Sequence, residues 1–335
     1  MNKVLVTGAT GFVGSALVRA LLKRGEEVHI LVRQKGPDYP NLEGLPVHAH
    51  HGEIQSVESL RNAMRGIDTV YHAAAVYQFY PWWRKKEPAI YKINVQGTQN
   101  ILSCAASLGI KKLVYTSSII TIGKSPRGEV SNEETPFSQA QLVSHYARSK
   151  YEAEALVLAA ARKGFPAVVV NPGVVVGARD QKPTPSGEII VKFLNRSYPG
   201  YFDADWCFAD VDDVAEGHIR ACEKGRVGER YILCNKESVS MEEIFKRLEK
   251  ISGVPRPRMK LPFSLIRAVA YADEWSAQFM KHKALMPTEG LEFCRSGLCC
   301  DNAKAVRELG YGTTPIEVSL EKAVTWYREN GYVRS

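Results

Sequence analysis

A strand, a glycine-rich turn and a helix follow one another near residue 1, and this order restricts the fold more than any other feature. The run KVLVTG is apolar and β-branched, and FVGSALVRALLKRG carries apolar residues at helical spacing. Between them, TGATGFVG places Gly8, Gly11 and Gly14 three residues apart. Glycine is needed where the chain turns sharply, where backbone approaches a pyrophosphate and where a helix packs closely on a strand. The turn therefore predicts a dinucleotide site whose phosphates bind the N–H groups of the helix start.

The same alternation continues to about Pro172 and predicts the fold class. Further strands are predicted at EVHILVR, DTVYHAAA, KKLVYTSS and PAVVVNPG, and helices at VESLRNAMRG, IYKINVQGTQNILSCAASLG and HYARSKYEAEALVLAAARKG. Such alternation is typical of an α/β protein with a parallel sheet covered on both faces. We expect a doubly wound parallel sheet, a Rossmann fold, over residues 1–172. Residues 173–335 are expected to form a smaller, interleaved substrate-binding domain, part of which returns to the Rossmann sheet.

Composition argues against several other classes. The 335 residues are 45% hydrophobic and 24% charged, which suits a folded globular protein. The net charge of +8 is scattered along the chain, so no nucleic-acid partner is expected. Seven cysteines have no zinc-binding spacing, so no metal is expected, and they fit a reducing cytoplasm.

Hydropathy and the first residues bear on localisation. MNKVLVTGATG has no signal-peptide pattern, and no window reaches about 18 uncharged apolar residues, so a cytoplasmic protein without an integral membrane segment is expected. LPFSLIRAVAYADEWSAQFM is the most apolar candidate. We expect an amphipathic packing helix there, with contact to a membrane surface or a partner as the alternative.

The end of the second predicted strand bears on the choice of dinucleotide. A carboxylate at this place would hold the ribose 2′-hydroxyl of NAD and repel a 2′-phosphate. This chain has Val32 and Arg33, with Lys35 close behind and no acid. A guanidinium binds phosphate through charge-assisted hydrogen bonds, although Arg33 could equally be an exposed loop cation. The residues favour NADP(H), with NAD(H) as the alternative.

The pair Tyr146 and Lys150 is the candidate for proton transfer. Residues four apart lie on one face of a helix, and this helix follows a strand that ends in Ser117 and Ser118. A free phenol has a pKa near 10, and a neighbouring ammonium and an oxidised nicotinamide ring are both expected to favour the phenolate; a pKa of about 7 requires roughly 4 kcal/mol. Tyr146 would then exchange a proton with a substrate oxygen held by one of the serine hydroxyls, while hydride moves at a nicotinamide.

These motifs match a known family. The set TGATGFVG, HAAA, TSS and YARSK resembles the extended short-chain dehydrogenase/reductases of the NAD-dependent epimerase/dehydratase superfamily. LVTGATGFVGSALVRALLKRG, KPTPSGEIIVKFL and VDDVAEGH are similar to its dihydroflavonol-4-reductase-like group, and most of all to hopanoid-associated sugar epimerases. The resemblance implies a homodimer with Tyr146 as general acid/base, Lys150 as the group that tunes its pKa, and Ser118 as the hydroxyl that holds the oxygen. Ser118 is preferred to Ser117 because it lies five residues before Gly123.

The resemblance also implies a set of residues around the cofactor. Those beside the pyrophosphate, adenine, ribose and nicotinamide are Gly8, Thr10, Gly11, Phe12, Val13, Gly14, Glu53, Ile54, Ala73, Ala74, Ala75, Asn94, Thr116, Ser117, Tyr146, Lys150, Pro172, Gly173, Val174 and Val175.

Two positions depart from the pattern of nucleotide-sugar epimerases. Val174 stands where those enzymes commonly carry an asparagine, and Val32 stands where they keep the acid that selects NAD. Both departures favour a reductase that consumes NADPH.

The segment VYQFYPWWRKK is the candidate substrate wall. Its aromatic residues are Tyr77, Phe79, Tyr80, Trp82 and Trp83. They could line an apolar or ring-bearing pocket, or they could fill the core between domains. We predict Val76, Tyr77, Phe79 and Arg179 as substrate residues. Of the nearby cations and histidines, the run from Arg84 is expected to be solvated, His72 to support the end of the sheet, and His145 to be exposed rather than catalytic.

The leading prediction is an NADP(H)-dependent oxidoreductase that reduces a carbonyl of a hydrophobic or aromatic small molecule. The first alternative is a nucleotide-sugar epimerase or dehydratase with tightly bound NAD(P). The second is an NADP-binding sensor without turnover, which the intact set of Ser118, Tyr146 and Lys150 disfavours.

Overall fold

The computed structural model describes residues 2–33, 39–80, 89–126, 129–280, 284, 287–295, 297 and 299–334. Lys35, Trp82, Trp83 and the basic run from Arg84 lie outside the described residues.

The strands of the described residues form two sheets. They are β1 Lys3–Thr7, β2 Glu27–Val32, β3 His48–His51, β4 Thr69–His72, β5 Lys112–Thr116, β6 Ala167–Pro172, β7 Val174–Val176, β8 Asp205–Asp210, β9 Arg230–Leu233 and β10 Ser238–Ser240. The larger sheet has seven strands in the order β3-β2-β1-β4-β5-β6-β9, and every pair in it is parallel. The predicted doubly wound α/β fold is confirmed.

Helices cover both faces of this sheet. They are α1 Phe12–Lys23, α2 Val57–Met64, α3 Ala89–Tyr91, α4 Gly97–Ser107, α5 His145–Arg162, α6 Pro185–Leu194, α7 Val211–Lys224, α8 Met241–Ser252, α9 Phe263–Met280, α10 Thr288–Arg295, α11 Ala303–Leu309 and α12 Ile316–Glu329. Strand β1 shows why helices are needed on both faces, because alternate side chains of a strand point to opposite faces and those of β1 are apolar on each. Val4 and Val6 pack with α1 and α7, whereas Leu5 packs with α2, α4 and α5.

Strand β9 brings residues from the second half of the chain back to the large sheet, where it pairs with β6. The remaining strands β7, β8 and β10 form a three-stranded sheet. Helices α6, α8 and α12 pack on it around Phe193, Phe245 and Leu320. This second apolar cluster is separate from those of the large sheet and lies at the carboxyl side of β6, where β7 begins.

The predicted long helix after β4 is wrong in one respect. Residues Lys92–Gln96 form a π-helical turn between α3 and α4. The Asn94 side chain is buried in this turn. Thr98 Oγ1 donates to Asn94 O over 2.6 Å, and this bond satisfies the Asn94 carbonyl within the π-helical turn. Side-chain insertion of this kind is a physical cause of a helix irregularity, and π-turns are frequent at functional sites.

Helix α9 only partly fulfils the expectation of a packing helix. Its buried positions are Ala270, Glu274 and Ala277, whereas Trp275 and Phe279 are 60% and 65% exposed. Small side chains and a carboxylate bound to Thr288 face the protein, so the large apolar side chains are left on the outside. In the part of the chain that is described, no helix is long and apolar enough to cross a membrane.

Candidate active site

The glycine turn lies where β1 enters α1, and its geometry explains each glycine. Gly8 has a φ of +76°, and a β-carbon added there would lie 2.6 Å from Ala74 N. A β-carbon on Gly14 would lie 2.1 Å from Gly8 O, so the helix packs directly on the turn. Gly11 N donates to Gly8 O over 3.0 Å and closes the turn.

The start of α1 is open to an anion. Gly11 is the N-cap, no side chain caps the first turn, and no acidic residue lies in that turn. The N–H groups of a helix start have no partner within the helix, and the helix dipole favours negative charge beside them. The turn and the helix start therefore fit the pyrophosphate of a dinucleotide.

The other predicted cofactor residues lie along the carboxyl edge of the sheet. Ala73 and Ala74 follow β4 against the glycine turn, Ser117 follows β5, and Pro172 ends β6. Ile54 is half-buried against Gly97, while Glu53, Arg33 and Thr10 are exposed. Ligands of doubly wound sheets bind at this edge, so these positions fit a dinucleotide, and the contact of each residue with a cofactor stays a prediction.

Three predicted catalytic residues come together beside this edge. Tyr146 lies in the first turn of α5, which begins where Ser144 Oγ accepts from Ala147 N over 2.9 Å. The Ser118 hydroxyl lies close enough to the Tyr146 phenol to act on its pKa, which it lowers. Lys150 Nζ donates to Thr116 O over 2.6 Å and lies 4.6 Å from the ring centre of Tyr115. The end of β5 and the start of α5 thus bring Ser118 and Tyr146 together, and Lys150 follows Tyr146 by one helical turn.

The expected pKa of Tyr146 is wrong for the protein by itself. Burial raises the pKa of Tyr146 to about 12, and the hydrogen bond from Ser118 offsets only part of this rise. Burial also lowers the pKa of Lys150 to about 7, against the attraction of Glu154. Removal from water penalises the charged form of both groups, and it is the largest cause of each shift. Tyr146 therefore keeps its proton at neutral pH.

A buried carboxylate behind Lys150 was not predicted. Glu154 is 3% exposed, and its carboxylate accepts from Thr121 Oγ1 at 2.7 Å and Asn171 Nδ2 at 2.8 Å. Arg230 of β9 completes its partners with an ion pair of 3.2 Å. Glu154 follows Lys150 by one helical turn, and this spacing is the only feature of the sequence that indicates the two charges are neighbours.

Two buried histidines support the strand ends. His72 lies between Thr7 Oγ1 at 2.8 Å and Thr98 Oγ1 at 2.9 Å, and burial lowers its pKa to about 3. His218 Nδ1 donates to Val214 O over 2.7 Å, so its Nε2 accepts from Thr116 Oγ1, also at 2.7 Å. Because Thr116 O receives Lys150, the unpredicted His218 helps to position the lysine.

His145 is not exposed as expected. It is half-buried, and its Nδ1 lies 3.1 Å from the Tyr91 hydroxyl. Its backbone N–H donates to the Glu289 carboxylate, which also accepts from Tyr80 N over 2.5 Å. Glu289 thus ties α10 to the start of α5.

Aromatic rings surround Tyr146. The Tyr77 ring centre lies 4.3 Å from that of Tyr146, and Phe79 lies 5.0 Å from Phe293. Phe293 itself lies 5.9 Å from Tyr146. We call Tyr77, Phe79 and Phe293 the aromatic wall. The first two were predicted, whereas Phe293 comes from α10 and no local pattern identified it.

The segment that carries the wall is held by Asn94. Asn94 Oδ1 accepts from Val76 N over 2.8 Å, and Asn94 Nδ2 donates to Val76 O over 3.0 Å. The same amide donates to Ser149 Oγ on α5 over 2.9 Å. The described contacts of Asn94 are thus those of a positioning residue, and its proposed place beside the cofactor stays a prediction.

Arg179 lies elsewhere than at the aromatic wall. It has a φ of +74°, and its Nη2 is 2.6 Å from Asp212 Oδ1 in the first turn of α7. Its guanidinium is therefore already engaged by a carboxylate, and a role in substrate binding stays a prediction.

Comparison with known proteins agrees with this site. Residues 4–234 match the family described as the NAD dependent epimerase/dehydratase family. The chain belongs to this family. Its members in the epimerase/dehydratase group of extended short-chain dehydrogenase/reductases share the Rossmann sheet seen here, and they include both reductases and epimerases.

Two relatives and one solved structure illustrate the similarity. The chain is 38% identical to "Putative dihydroflavonol 4-reductase" of Synechocystis sp., over 98% of this chain and 96% of the relative. It is 33% identical to "Sterol demethylase protein B" of Methylococcus capsulatus, over 98% of this chain and 99% of the relative. The crystal structure of gox2253 is 36% identical, covers 100% of both chains and has a TM-score of 0.87.

Proposed function

We propose that this protein is an NADP(H)-dependent oxidoreductase that reduces a carbonyl group on a hydrophobic or aromatic small molecule. One observation carries the proposal: a buried phenol, Tyr146, lies beside the Ser118 hydroxyl, which acts to lower its pKa, and its ring centre is 4.3 Å from that of another aromatic ring, Tyr77. Its pKa of about 12 keeps the proton on the phenol, which suits a group that donates a proton to oxygen.

The residues of this chain then have separate roles. A nicotinamide cofactor supplies a hydride to the carbonyl carbon when bound. The glycine turn holds its phosphates, and Ser118 donates a hydrogen bond to the carbonyl oxygen. Tyr146 gives its proton to that oxygen as the carbon accepts the hydride, and the product is an alcohol. Lys150, in its protonated form, stabilises the phenolate that remains until water restores the proton.

The aromatic wall supports an apolar substrate. Tyr77 is 38% exposed, although its ring contacts Tyr146, so a substrate that reaches the phenol also meets this ring. Aromatic side chains bind flat apolar molecules through area and ring geometry. The names of the two relatives, which refer to a dihydroflavonol and to a sterol, support a ring-bearing substrate.

The end of β2 supports NADP(H). Val32 is buried, Arg33 is exposed directly after it, and neither offers the carboxylate that would repel a 2′-phosphate. Arg33→Ala is expected to weaken NADPH binding by roughly 10- to 100-fold, as for a lost charge-assisted hydrogen bond, and NADH binding by much less. Arg65→Ala, at another exposed arginine, is the matched control. Equal losses for the two cofactors, measured by isothermal titration calorimetry, would refute the preference.

A sugar-nucleotide epimerase is the second candidate, and the match to the epimerase/dehydratase family favours it. Such an enzyme recycles its cofactor and leaves no net change in it. Incubation with NADPH and a panel of aromatic and steroid ketones, followed at 340 nm, separates the two candidates, with nucleotide sugars in parallel reactions. Stoichiometric NADPH oxidation supports the reductase, whereas NAD retained through purification and interconversion of nucleotide sugars without NADPH oxidation supports the epimerase.

A further inference from the structure

Histidines are concentrated on the outer strand of the large sheet and on its neighbour. In the parallel pair of β2 and β3, His29 lies opposite His48, and Leu31 lies opposite His50. Because side chains alternate along a strand, Glu27 and His29 of β2 lie on the same face as His48 and His50 of β3. The sequence spacing alone does not indicate this group, since its members come from two strands.

These side chains are in contact. His29 Nε2 lies 3.0 Å from Glu27 Oε1, and His29 Nδ1 lies 2.8 Å from His50 Nε2. The rings of His29 and His48 stack with their centres 4.8 Å apart. One possible ligand atom from each of Glu27, His29 and His48 lies within 4.8 Å of the others. Glu27 and His29 are half-buried and His48 is exposed, so an ion could enter from solvent.

We propose that Glu27, His29 and His48 form a binding site for Zn²⁺ or a chemically similar transition-metal ion, and that His50 orients His29. Two imidazoles and a carboxylate are the ligands of open zinc sites, in which water takes the fourth position. Nitrogen ligands favour Zn²⁺ and similar ions over Mg²⁺ or Ca²⁺. The hydrogen bond between His29 Nδ1 and His50 Nε2 would fix the orientation of the His29 ring, as outer contacts of metal-binding histidines do.

Binding requires the His48 ring to turn, because it now stacks on His29 and the three ligand atoms are only within 4.8 Å of one another. With zinc–ligand bonds of about 2.0 Å, neighbouring ligand atoms of a tetrahedral site lie about 3.3 Å apart, close to the present separation of Glu27 and His29. His29 would carry its hydrogen on Nδ1, donate it to His50 Nε2, and present Nε2 to the ion. Lys3 Nζ, now 3.1 Å from Glu27 Oε1, is 50% exposed and can turn into water.

The position indicates a stabilising role rather than a catalytic one. Glu27 begins β2 and His48 begins β3, so the site lies at the amino ends of the strands. The glycine turn and Tyr146 lie at the opposite, carboxyl edge. A bound ion would link the outer strand to its neighbour and protect an exposed sheet edge. It would raise stability without altering carbonyl reduction.

The test uses untagged full-length protein treated with a chelator and then titrated with Zn²⁺ alone. We expect one ion per chain by calorimetry, and a rise in Tm of several degrees once zinc is in about 100-fold excess over its Kd. His29→Ala and His48→Ala should each weaken binding at least tenfold. His51→Ala is the matched control, because His51 alternates to the other face of β3 and should leave binding intact.

Co²⁺ serves as a second probe, because the chain has seven cysteines that could also take zinc. A tetrahedral Co²⁺ spectrum without thiolate charge-transfer bands, lost in His48→Ala, supports the site. The proposal is overturned if wild-type protein binds no Zn²⁺, if His29→Ala and His48→Ala bind it as the wild type does, or if the Co²⁺ spectrum shows thiolate ligands. Circular dichroism of each variant verifies that it is folded, and His48, being exposed, is the safer substitution.

Discussion

Tyr146 and Lys150 lie one turn apart on α5, and burial disfavours the charged form of each. The pKa of Tyr146 is raised to about 12, and that of Lys150 is lowered to about 7. Lys150 retains a hydrogen bond to Thr116 O and a contact with the Tyr115 ring, so its position does not depend on a negative partner. A protonated phenol and a lysine one helical turn away from it are thus held in fixed positions before any substrate binds.

The lowered pKa of Lys150 predicts a pH-dependent cost to stability. In the unfolded chain a lysine has a pKa near 10.4, so between about pH 7 and pH 10 the unfolded state binds more protons than the folded state. Stability then rises with pH over this window, and the full penalty is present below about pH 7. Lys150→Met is expected to stabilise the cofactor-free protein by about 2–4 kcal/mol at pH 6 and by much less at pH 10.

Urea unfolding at the two pH values measures this difference. Lys163→Met, at an exposed lysine just beyond the end of the same helix, is the control and should change little at either pH. A gain from Lys150→Met that is the same at pH 6 and pH 10 would show that Lys150 is not buried as a charged group.

Among the elements, the π-helical turn between α3 and α4 matters most for the site. It points the Asn94 amide at both polar backbone groups of Val76, immediately before Tyr77 of the aromatic wall. The start of α1 is uncapped, so its backbone N–H groups are likewise available to a ligand. The π-helical turn and the start of α1 both lie at the carboxyl edge of the sheet, where β1 and β4 end.

Asn94→Ala is expected to loosen the segment that carries the aromatic wall. The Val76 amide loses its acceptor, so its hydrogen exchange should accelerate by at least tenfold, and stability should fall by about 2 kcal/mol. The affinity for NADPH should change little, while kcat/KM for the carbonyl substrate falls. Asn100→Ala, which removes half-exposed bonds from α4 to Ile54 and Gln55, is the control. Unchanged exchange at Val76 would contradict the role of Asn94.

At the scale of the whole molecule, the two halves of the chain are joined through β9 and α10. Arg230 of β9 pairs with buried Glu154 of α5, and Phe293 of α10 completes the wall around Tyr146. Neither half alone therefore holds the complete site.

Glu154→Gln tests this connection. It leaves the Arg230 guanidinium without its carboxylate in a half-buried place, and loss of one partner of such a pair is expected to cost about 3 kcal/mol. It also removes the charge that holds up the pKa of Lys150. Glu152→Gln, on the same helix, is the control. Equal unfolding midpoints for the two variants in urea would contradict the coupling.

The sequence predicts those features that depend on neighbouring residues. The spacing of Gly8, Gly11 and Gly14 and the pair of Tyr146 and Lys150 are local patterns, and the structure places them at one edge of the sheet. Phe293 and His218 come from distant elements whose packing no local pattern reveals. The prediction of a lowered pKa for Tyr146 is wrong for the cofactor-free protein for the same reason. The charge of Lys150 is visible in the sequence, whereas the burial that raises the pKa of Tyr146 is not.

The most direct test of proton donation by Tyr146 compares wild-type protein with Tyr146→Phe, using NADPH and the ketone panel. The wild type should oxidise NADPH in proportion to the alcohol formed. Tyr146→Phe should lower that rate at least about 100-fold, while its Kd for NADPH stays within about threefold. A Tyr146→Phe variant that reduces the ketones at the wild-type rate would contradict the account.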